Sequence, residues 1–157
     1  GSWNTWDRID FSAAVAIVRY AVEHGANLFD VAHYNMGPHA EAAHTDVLFG
    51  RIVEAAGLRR EDYVLCGKLW LWDYPATSCD VQMERSLFRV GVERADTVVV
   101  GDFFGELDLR QVVVDGADQV RAGRFSSWGV NNWSAADVRL ARRVLEIGAA
   151  HRAGLSR

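Results

Sequence analysis

The sequence predicts an α/β fold in which the strands of one parallel sheet alternate with helices. Four apolar runs rich in β-branched residues recur along the 157 residues, and their starts lie roughly 30 to 36 residues apart, the length of one βαβ unit. The runs are continuously apolar, which is typical of parallel strands covered on both faces. Amphipathic patterns precede, separate and follow them. We therefore expect about four parallel strands and five helices, joined by right-handed crossovers.

Each element has its own signals at its ends. The strands are expected at 27–32, 63–69, 97–100 and 125–130. Among the helices, an apolar stripe from Ala14 to Val22 closes at Gly25, and Pro38 can start a second helix that ends at Gly57. Ser78 is the N-cap candidate of the third helix. The fourth ends at Gly123, and Ser134 with Asp137 three residues on begins the fifth.

Composition excludes several functional classes. Half of the residues are hydrophobic, so a folded core is expected, and the net charge of −4 without a basic run argues against nucleic acid or an anionic membrane as partner. No apolar stretch has the roughly 20 residues of a membrane helix. Cys66 and Cys79 have no zinc or redox spacing, nor have the histidines, so no metal is expected. A cytoplasmic protein with a small-molecule substrate fits these observations.

The basic residues are unusually biased, with sixteen arginines and a single lysine, Lys68. A lone lysine kept against such a bias suggests a position where the broad guanidinium cannot replace a compact ammonium. Lys68 lies at the end of the second apolar run. In folds built from βα units, the active site lies at the C-terminal ends of the strands.

Polar residues stand at all four of these strand ends, with aromatic residues beside them. They are Asp30 with Tyr34, Lys68 with Trp70, Gly101 with Asp102 and Phe103, and Asn131 with Asn132. Together these residues predict a pocket at this end of the sheet. Each also has a plainer reading, since Asp30 can cap a turn, Tyr34 can be a rim aromatic, and the two asparagines can form only a turn.

Asp30, Tyr34 and Lys68 make a coherent acid catalyst. A tyrosine with its ordinary pKa near ~10 is a poor proton donor at neutral pH. A neighbouring ammonium stabilises the phenolate, and a carboxylate orients the ammonium. Such a set can protonate a carbonyl oxygen while a hydride arrives at its carbon.

At these residues the chain resembles the aldo-keto reductase superfamily. GANLFDVAHY is similar to the family motif G-[IV]-N-x-[FI]-D-[ST]-A-x-x-Y, EDYVLCGKLW to its lysine strand, and GRFSSWGVNNWS to its G-x-[SN]-N segment. MERSLFRVGVERADTVVV resembles the helix and strand between them, and GSWNTW the loop after the first strand. The Trp128-Gly129 pair resembles the branch that contains potassium-channel β-subunits.

The resemblance implies roles for individual residues. Asp30, Tyr34 and Lys68 match the family's catalytic residues. Ser2, Trp3, Asp30, Asn131 and Asn132 match positions that bind the cofactor, which would be NADPH. Trp3, Trp70 and Phe103 would line the substrate pocket. The expected activity is reduction of an aldehyde or ketone.

Three departures from the family pattern stand out. Tyr34 comes one residue earlier than usual. Gly101 occupies the place of a fourth catalytic residue, a histidine. Removing one such hydrogen-bond donor lowers the catalysed rate by about 10²–10³. A weakly active, cofactor-binding regulatory protein, or a lyase or epimerase on the same scaffold, is therefore the alternative function.

The third departure is length, because a complete TIM (β/α)8 barrel needs about 250 residues. Residues 1–157 are expected to form one incomplete barrel domain that lacks the first strand and the C-terminal strands. The chain would then be a fragment of a longer enzyme, which we favour, or would self-associate as a homo-oligomer.

Overall fold

A computed structural model describes residues 5–33, 43–101, 103 and 105–155 of the chain, with side chains up to residue 149. The strands are β1 (Leu28–Asp30), β2 (Val64–Leu69), β3 (Thr97–Val100) and β4 (Ser127–Val130). The helices are α1 (Phe11–Glu23), α2 (Thr45–Ala55), α3 (Cys79–Val90), α4 (Leu109–Arg121) and α5 (Ala135–Leu155), with short 3-10 turns at Trp6–Arg8 and Arg60–Asp62. The predicted class and alternation are confirmed. Pro38 lies outside the described residues.

The helices begin where short polar side chains satisfy free backbone N–H groups. The Ser78 side chain accepts from the Val81 amide at the start of α3. Ser134 and Asp137 bond each other's amides reciprocally before α5, as their spacing predicts. Among the described helices, none is both long and apolar enough to cross a membrane.

The four strands form one parallel sheet in the order β1-β2-β3-β4. Each strand pairs with the next one in sequence, so every βα unit adds one strand to the same edge of the sheet. The carboxyl ends of all four strands consequently lie at the same end of the sheet. The sequence predicted the polar residues at this end.

The two faces of this sheet have different surroundings. One face packs against the helices and contributes Leu65, Leu69, Val98 and Val100 to the main core. The other, here named the open face, carries the alternate residues of each strand. These are Leu28 and Asp30; Val64, Cys66 and Lys68; Thr97 and Val99; Ser127 and Gly129.

The expectation that both faces are covered therefore holds only in part. On the open face Leu28 is 62% exposed, and Ser127 and Gly129 are exposed as well. The predicted stripe of α1 is also narrower than expected, because Ala14 and Val18 are buried whereas Ile17 is half-exposed.

Helices α2 and α3 approach each other closely at Gly50. A Cβ on Gly50 would lie 2.1 Å from the Val90 carbonyl oxygen, so only glycine permits this approach. One turn earlier in α2, Asp46 is 2% exposed and accepts two hydrogen bonds from Arg89, at 2.6 and 2.8 Å. This bidentate pair is the strong form of a charged hydrogen bond.

A second carboxylate fixes β2 against the segment that leads into β3. Asp96 accepts from the Leu65 amide at 2.7 Å and from Arg60 at 2.6 Å, and its own amide donates to the Leu65 carbonyl. Partial burial opposes ionisation of Asp96, but the hydrogen bonds from Arg60 and Leu65 outweigh it and hold the pKa of this carboxyl below its usual value.

Breaking the Asp46–Arg89 pair should destabilise the fold strongly. In Arg89→Ala the Asp46 carboxylate stays buried without its cation, a change that costs about 3–5 kcal/mol in comparable cases. The matched control is Arg51→Ala, which removes an exposed partner of Glu54 and should cost no more than about 1 kcal/mol. Urea unfolding of both variants measures the difference, and equal losses would contradict this account.

Candidate functional site

Two charged residues of the open face, Asp30 and Lys68, lie near the carboxyl ends of β1 and β2. Asp30 is the register partner of Cys66, and Lys68 follows on the same face of β2. Asp30 and Lys68 are half-buried, whereas Cys66 is buried. The structure therefore places the predicted catalytic carboxylate and ammonium on one face, on either side of a thiol.

The pKa of the Cys66 thiol shows how burial and the neighbouring charges act in this region. Burial raises its pKa first, and the negative charge of Asp30 raises it further. The positive charge of Lys68 lowers the pKa but does not compensate. The thiol is therefore neutral at physiological pH and is no candidate nucleophile.

The Lys68 ammonium lies against an aromatic ring. Its Nζ is 5.1 Å from the centroid of the Trp70 ring, within the range of a cation–π interaction. Beside the two residues is a cavity of about 10 Å³, room for about one water molecule. The remaining lining residues are His33, Gln82, Arg85 and Ser86.

Trp70 itself is 5% exposed and is held from several directions. Its indole N–H donates to the His33 carbonyl at 3.0 Å, and its ring stacks on Trp72 with centroids 4.4 Å apart and planes 14° apart. The Gln82 amide accepts from the Trp70 N–H at 2.8 Å and donates to the Trp70 carbonyl at 2.7 Å.

Sequence reasoning did not single out Gln82. The signal was present, because a glutamine directly precedes Met83 on the inward stripe of α3, where an apolar side chain is the norm. A buried amide at such a position must find hydrogen-bonding partners. Gln82 meets that need on the backbone of Trp70.

Gly101 follows β3 and is enclosed by two tryptophans. Its amide donates to the Leu69 carbonyl at 2.7 Å, and its carbonyl accepts from the Trp133 indole at 2.8 Å. A Cβ at this position would lie 2.9 Å from Trp70 Cε3. Phe103, a predicted pocket residue, packs edge-on against Trp133 with ring centroids 5.7 Å apart.

Asn131 and Asn132, which follow β4, differ in their roles. Asn132 has a φ of 62°, a left-handed conformation that asparagine tolerates better than most residues. This conformation is compatible with the turn reading of Asn132. Asn131 donates its amide to the Val100 carbonyl, yet its side-chain Oδ1 is buried without a hydrogen-bond partner among the described residues. Such an oxygen suits a ligand N–H.

The structure leaves other predicted site residues open. Ser2, Trp3 and Tyr34 lie outside the described residues, as does Asp102. His33, next to Tyr34, has its pKa lowered by burial and by the positive charges of Arg89 and Arg85, against the opposing charge of Asp46. Within the described ranges, no group of three or more His, Cys, Asp or Glu side chains could hold a metal ion.

A larger cavity lies away from this region. It measures about 520 Å³ and lies between α2 and α3, where Gly50, Tyr63, Phe88 and Arg89 are among its lining. None of the sequence-predicted site residues lines it. Its size alone therefore gives no reason to move the candidate site from the strand ends.

Comparison with known proteins identifies a family and a fold for this chain. The model of the aldo/keto reductase family matches residues 1–151. Among solved structures, an aldo/keto reductase from Klebsiella pneumoniae, crystallised with NADP and acetate, is 22% identical with a TM-score of 0.66. The match covers 82% of this chain and 42% of that one.

Two further structures give the same picture. The aldose reductase of Schistosoma japonicum is 18% identical, with a TM-score of 0.65 and coverage of 87% of this chain and 48% of its own. An aldo/keto reductase from Brucella melitensis is 21% identical, with a TM-score of 0.65 and coverage of 85% and 49%. The chain thus spans less than half the length of these three structures.

Burial of both cysteines should make them slow to react. Burial raises the pKa of Cys66, and it raises the pKa of Cys79 to about 12, with a further contribution from Asp115. At pH 8 we expect neither thiol to react readily with iodoacetamide in the folded chain, whereas both react after unfolding in urea. Mass spectrometry counts the added groups, and fast native labelling of Cys66 would contradict the electrostatics described.

Proposed function

Because the chain belongs to the aldo/keto reductase family, we propose that it carries the core of an NADPH-dependent site that reduces an aldehyde or a ketone. The observation that carries the proposal is the placement of Asp30 and Lys68 on one sheet face at neighbouring strand ends. Lys68 is the single lysine of the chain.

In this proposal three side chains handle one proton. Tyr34 donates the proton of its hydroxyl to the carbonyl oxygen of the substrate. Lys68 Nζ stabilises the phenolate that forms, and the Asp30 carboxylate keeps the ammonium charged and oriented. Phe103 and Trp3 would line the apolar part of the substrate pocket. Trp70 is buried in the described structure, so any direct contact with substrate would be limited to a small part of its ring.

The residues present fit a nicotinamide cofactor. The partnerless Oδ1 of Asn131 would accept a hydrogen bond from the carboxamide N–H₂. Ser2, Trp3, Asp30 and Asn132 are the other proposed contacts. When bound, the cofactor supplies the hydride. The Klebsiella pneumoniae structure with NADP supports this choice.

A second function is favoured by Gly101, which offers no donor where the family resemblance places a histidine. The chain would then bind the cofactor with little turnover, as a regulatory protein, or would run a lyase or epimerase reaction. The assignment to the branch of potassium-channel β-subunits belongs with this candidate and rests on the Trp128-Gly129 pair.

The organisation of the chain is part of the proposal. We take residues 1–157 as one incomplete barrel domain, either a portion of a longer enzyme or a unit that self-associates. A cytoplasmic location fits the composition. The chain spans less than half the length of the solved structures described above.

Removing the ammonium should abolish most of the turnover. In Lys68→Met, turnover of test aldehydes should fall by about 10²–10⁴, since positioned proton transfer contributes that factor. Turnover by the Tyr34→Phe variant should fall by a similar factor. Arg110→Met removes an exposed charge from α4 and serves as control. NADPH oxidation at 340 nm, paired with product analysis, is the measurement, and unchanged rates in Lys68→Met would exclude this mechanism. Product without net NADPH oxidation would indicate the lyase or epimerase.

Binding of NADPH can be tested without turnover. Tryptophan fluorescence should show saturable binding, and Asn131→Ala should weaken it about fivefold or more, the effect of losing one hydrogen bond. Asn132→Gly keeps the left-handed backbone and removes only the amide. It should bind clearly less well than the wild type, because the Asn132 side chain is a proposed cofactor contact. Unchanged binding would show that Asn132 serves only the turn.

A further inference from the structure

Gly101 and Trp70 cannot be varied independently. A Cβ on Gly101 would lie 2.9 Å from Trp70 Cε3, 3.2 Å from Cζ3 and 3.3 Å from the Leu69 carbonyl oxygen. Real Cβ atoms essentially never approach other atoms as closely as 2.9 Å, so either the ring or the backbone must move to admit any side chain.

Neither of them is free to move. The Trp70 indole is anchored at the His33 carbonyl and stacked on Trp72, and the backbone of Trp70 is fixed at both its N–H and its C=O by Gln82. Gly101 is hydrogen-bonded to Leu69 on one side and to the Trp133 indole on the other. The contact is therefore imposed by the packing of β2, α3 and the segment after β4.

The same indole also faces the only lysine of the chain. Lys68 Nζ lies 5.1 Å from the ring centroid, and an ammonium at that distance is attracted to the π face. Trp70 thus touches two positions of the candidate site at once. Its six-membered ring, through Cε3 and Cζ3, blocks position 101, while its face holds the cation.

We propose that Trp70 is a positioning residue that replaces the side chain of position 101 sterically and orients the Lys68 ammonium through its indole face. In this chain the position of the Trp70 ring then favours glycine at 101. The polarisation of a bound carbonyl oxygen consequently depends on the proton donor and on Lys68, a last step that rests on the proposed function.

The single lysine makes the cation contact directly measurable. Growth on [¹³C]lysine labels Lys68 alone, so one set of Cε–Hε signals is expected in the NMR spectrum. The indole ring current should shift these protons upfield of free lysine. Trp70→Leu should move them back toward the free value, whereas Trp128→Leu, at a ring packed near Gly116 of α4, should leave them in place.

A double-mutant cycle tests the steric half of the proposal. Gly101→Ala should lower the melting temperature of the wild-type chain, and its penalty should shrink or vanish in the Trp70→Leu background, where the obstructing ring is gone. If Trp70→Leu does not fold, Trp70→Phe supplies a shorter ring for both experiments. In that variant the Lys68 shift and the penalty at 101 should both decrease.

Two results would overturn the proposal. Lys68 signals that remain upfield in Trp70→Leu would show that another group holds the cation, and an equal Gly101→Ala penalty in both backgrounds would show that the ring is not the obstacle. Neither measurement needs turnover, so an inactive chain can still satisfy both. An active chain that fails both refutes the role of Trp70 and leaves the reductase proposal standing.

For an active chain, kinetics distinguish a positioning role of Trp70 from a purely structural role. Trp70→Leu should lower kcat more than it raises KM, because it disturbs the ammonium that acts on the reacting oxygen. Gly101→His should recover activity only when it is combined with Trp70→Leu. Recovery by Gly101→His alone would show that Trp70 yields readily, contrary to the proposal.

Discussion

The alternation of side chains across the parallel sheet is the constraint on which the rest of the structure depends. Successive residues of a strand point to opposite faces, so a strand that supplies Leu65 and Leu69 to the core must present Cys66 and Lys68 on the other side. Because the neighbouring strands are in parallel register, Asp30 joins the same side. The chemistry of the open face and the packing of the helix face are therefore two consequences of one hydrogen-bonded ladder.

The helix layer keeps this ladder in place and also shapes the site. Gly50 lets α2 approach α3 closely, and the pair formed by buried Asp46 and partly exposed Arg89 joins the two helices. From α3, Gln82 reaches the backbone of Trp70 directly after β2. A contact between helices is in this way linked to the ring that lies against the Lys68 ammonium, so the geometry of the candidate site depends on packing in the helix layer.

The sequence predicted most of the fold because burial and capping leave local traces. β3 was predicted with its observed ends at Thr97 and Val100, and Ser78 and Ser134 were recognised as caps. The exposure of Ile17 was not predicted, since the buried width of a helix depends on its tertiary neighbours. Site residues were placed at strand ends by a topological rule. The contact of Trp70 with Gly101 follows no such rule, because it depends on the direction of one ring outside regular structure.

The hydrogen bonds of Asp96 have a consequence for the position of charge as well as for packing. A slip of β2 by one residue would exchange the two faces, carrying Lys68 into the apolar layer and Leu69 onto the open side. Such a slip would bury an ammonium without a partner, at a cost of several kcal/mol. Asp96 accepts hydrogen bonds from the Leu65 amide and from Arg60. These bonds oppose the slip at the amino end of β2, the end away from Lys68. A carboxylate at the amino end of β2 thereby helps to determine which side of the sheet carries the positive charge at its carboxyl end.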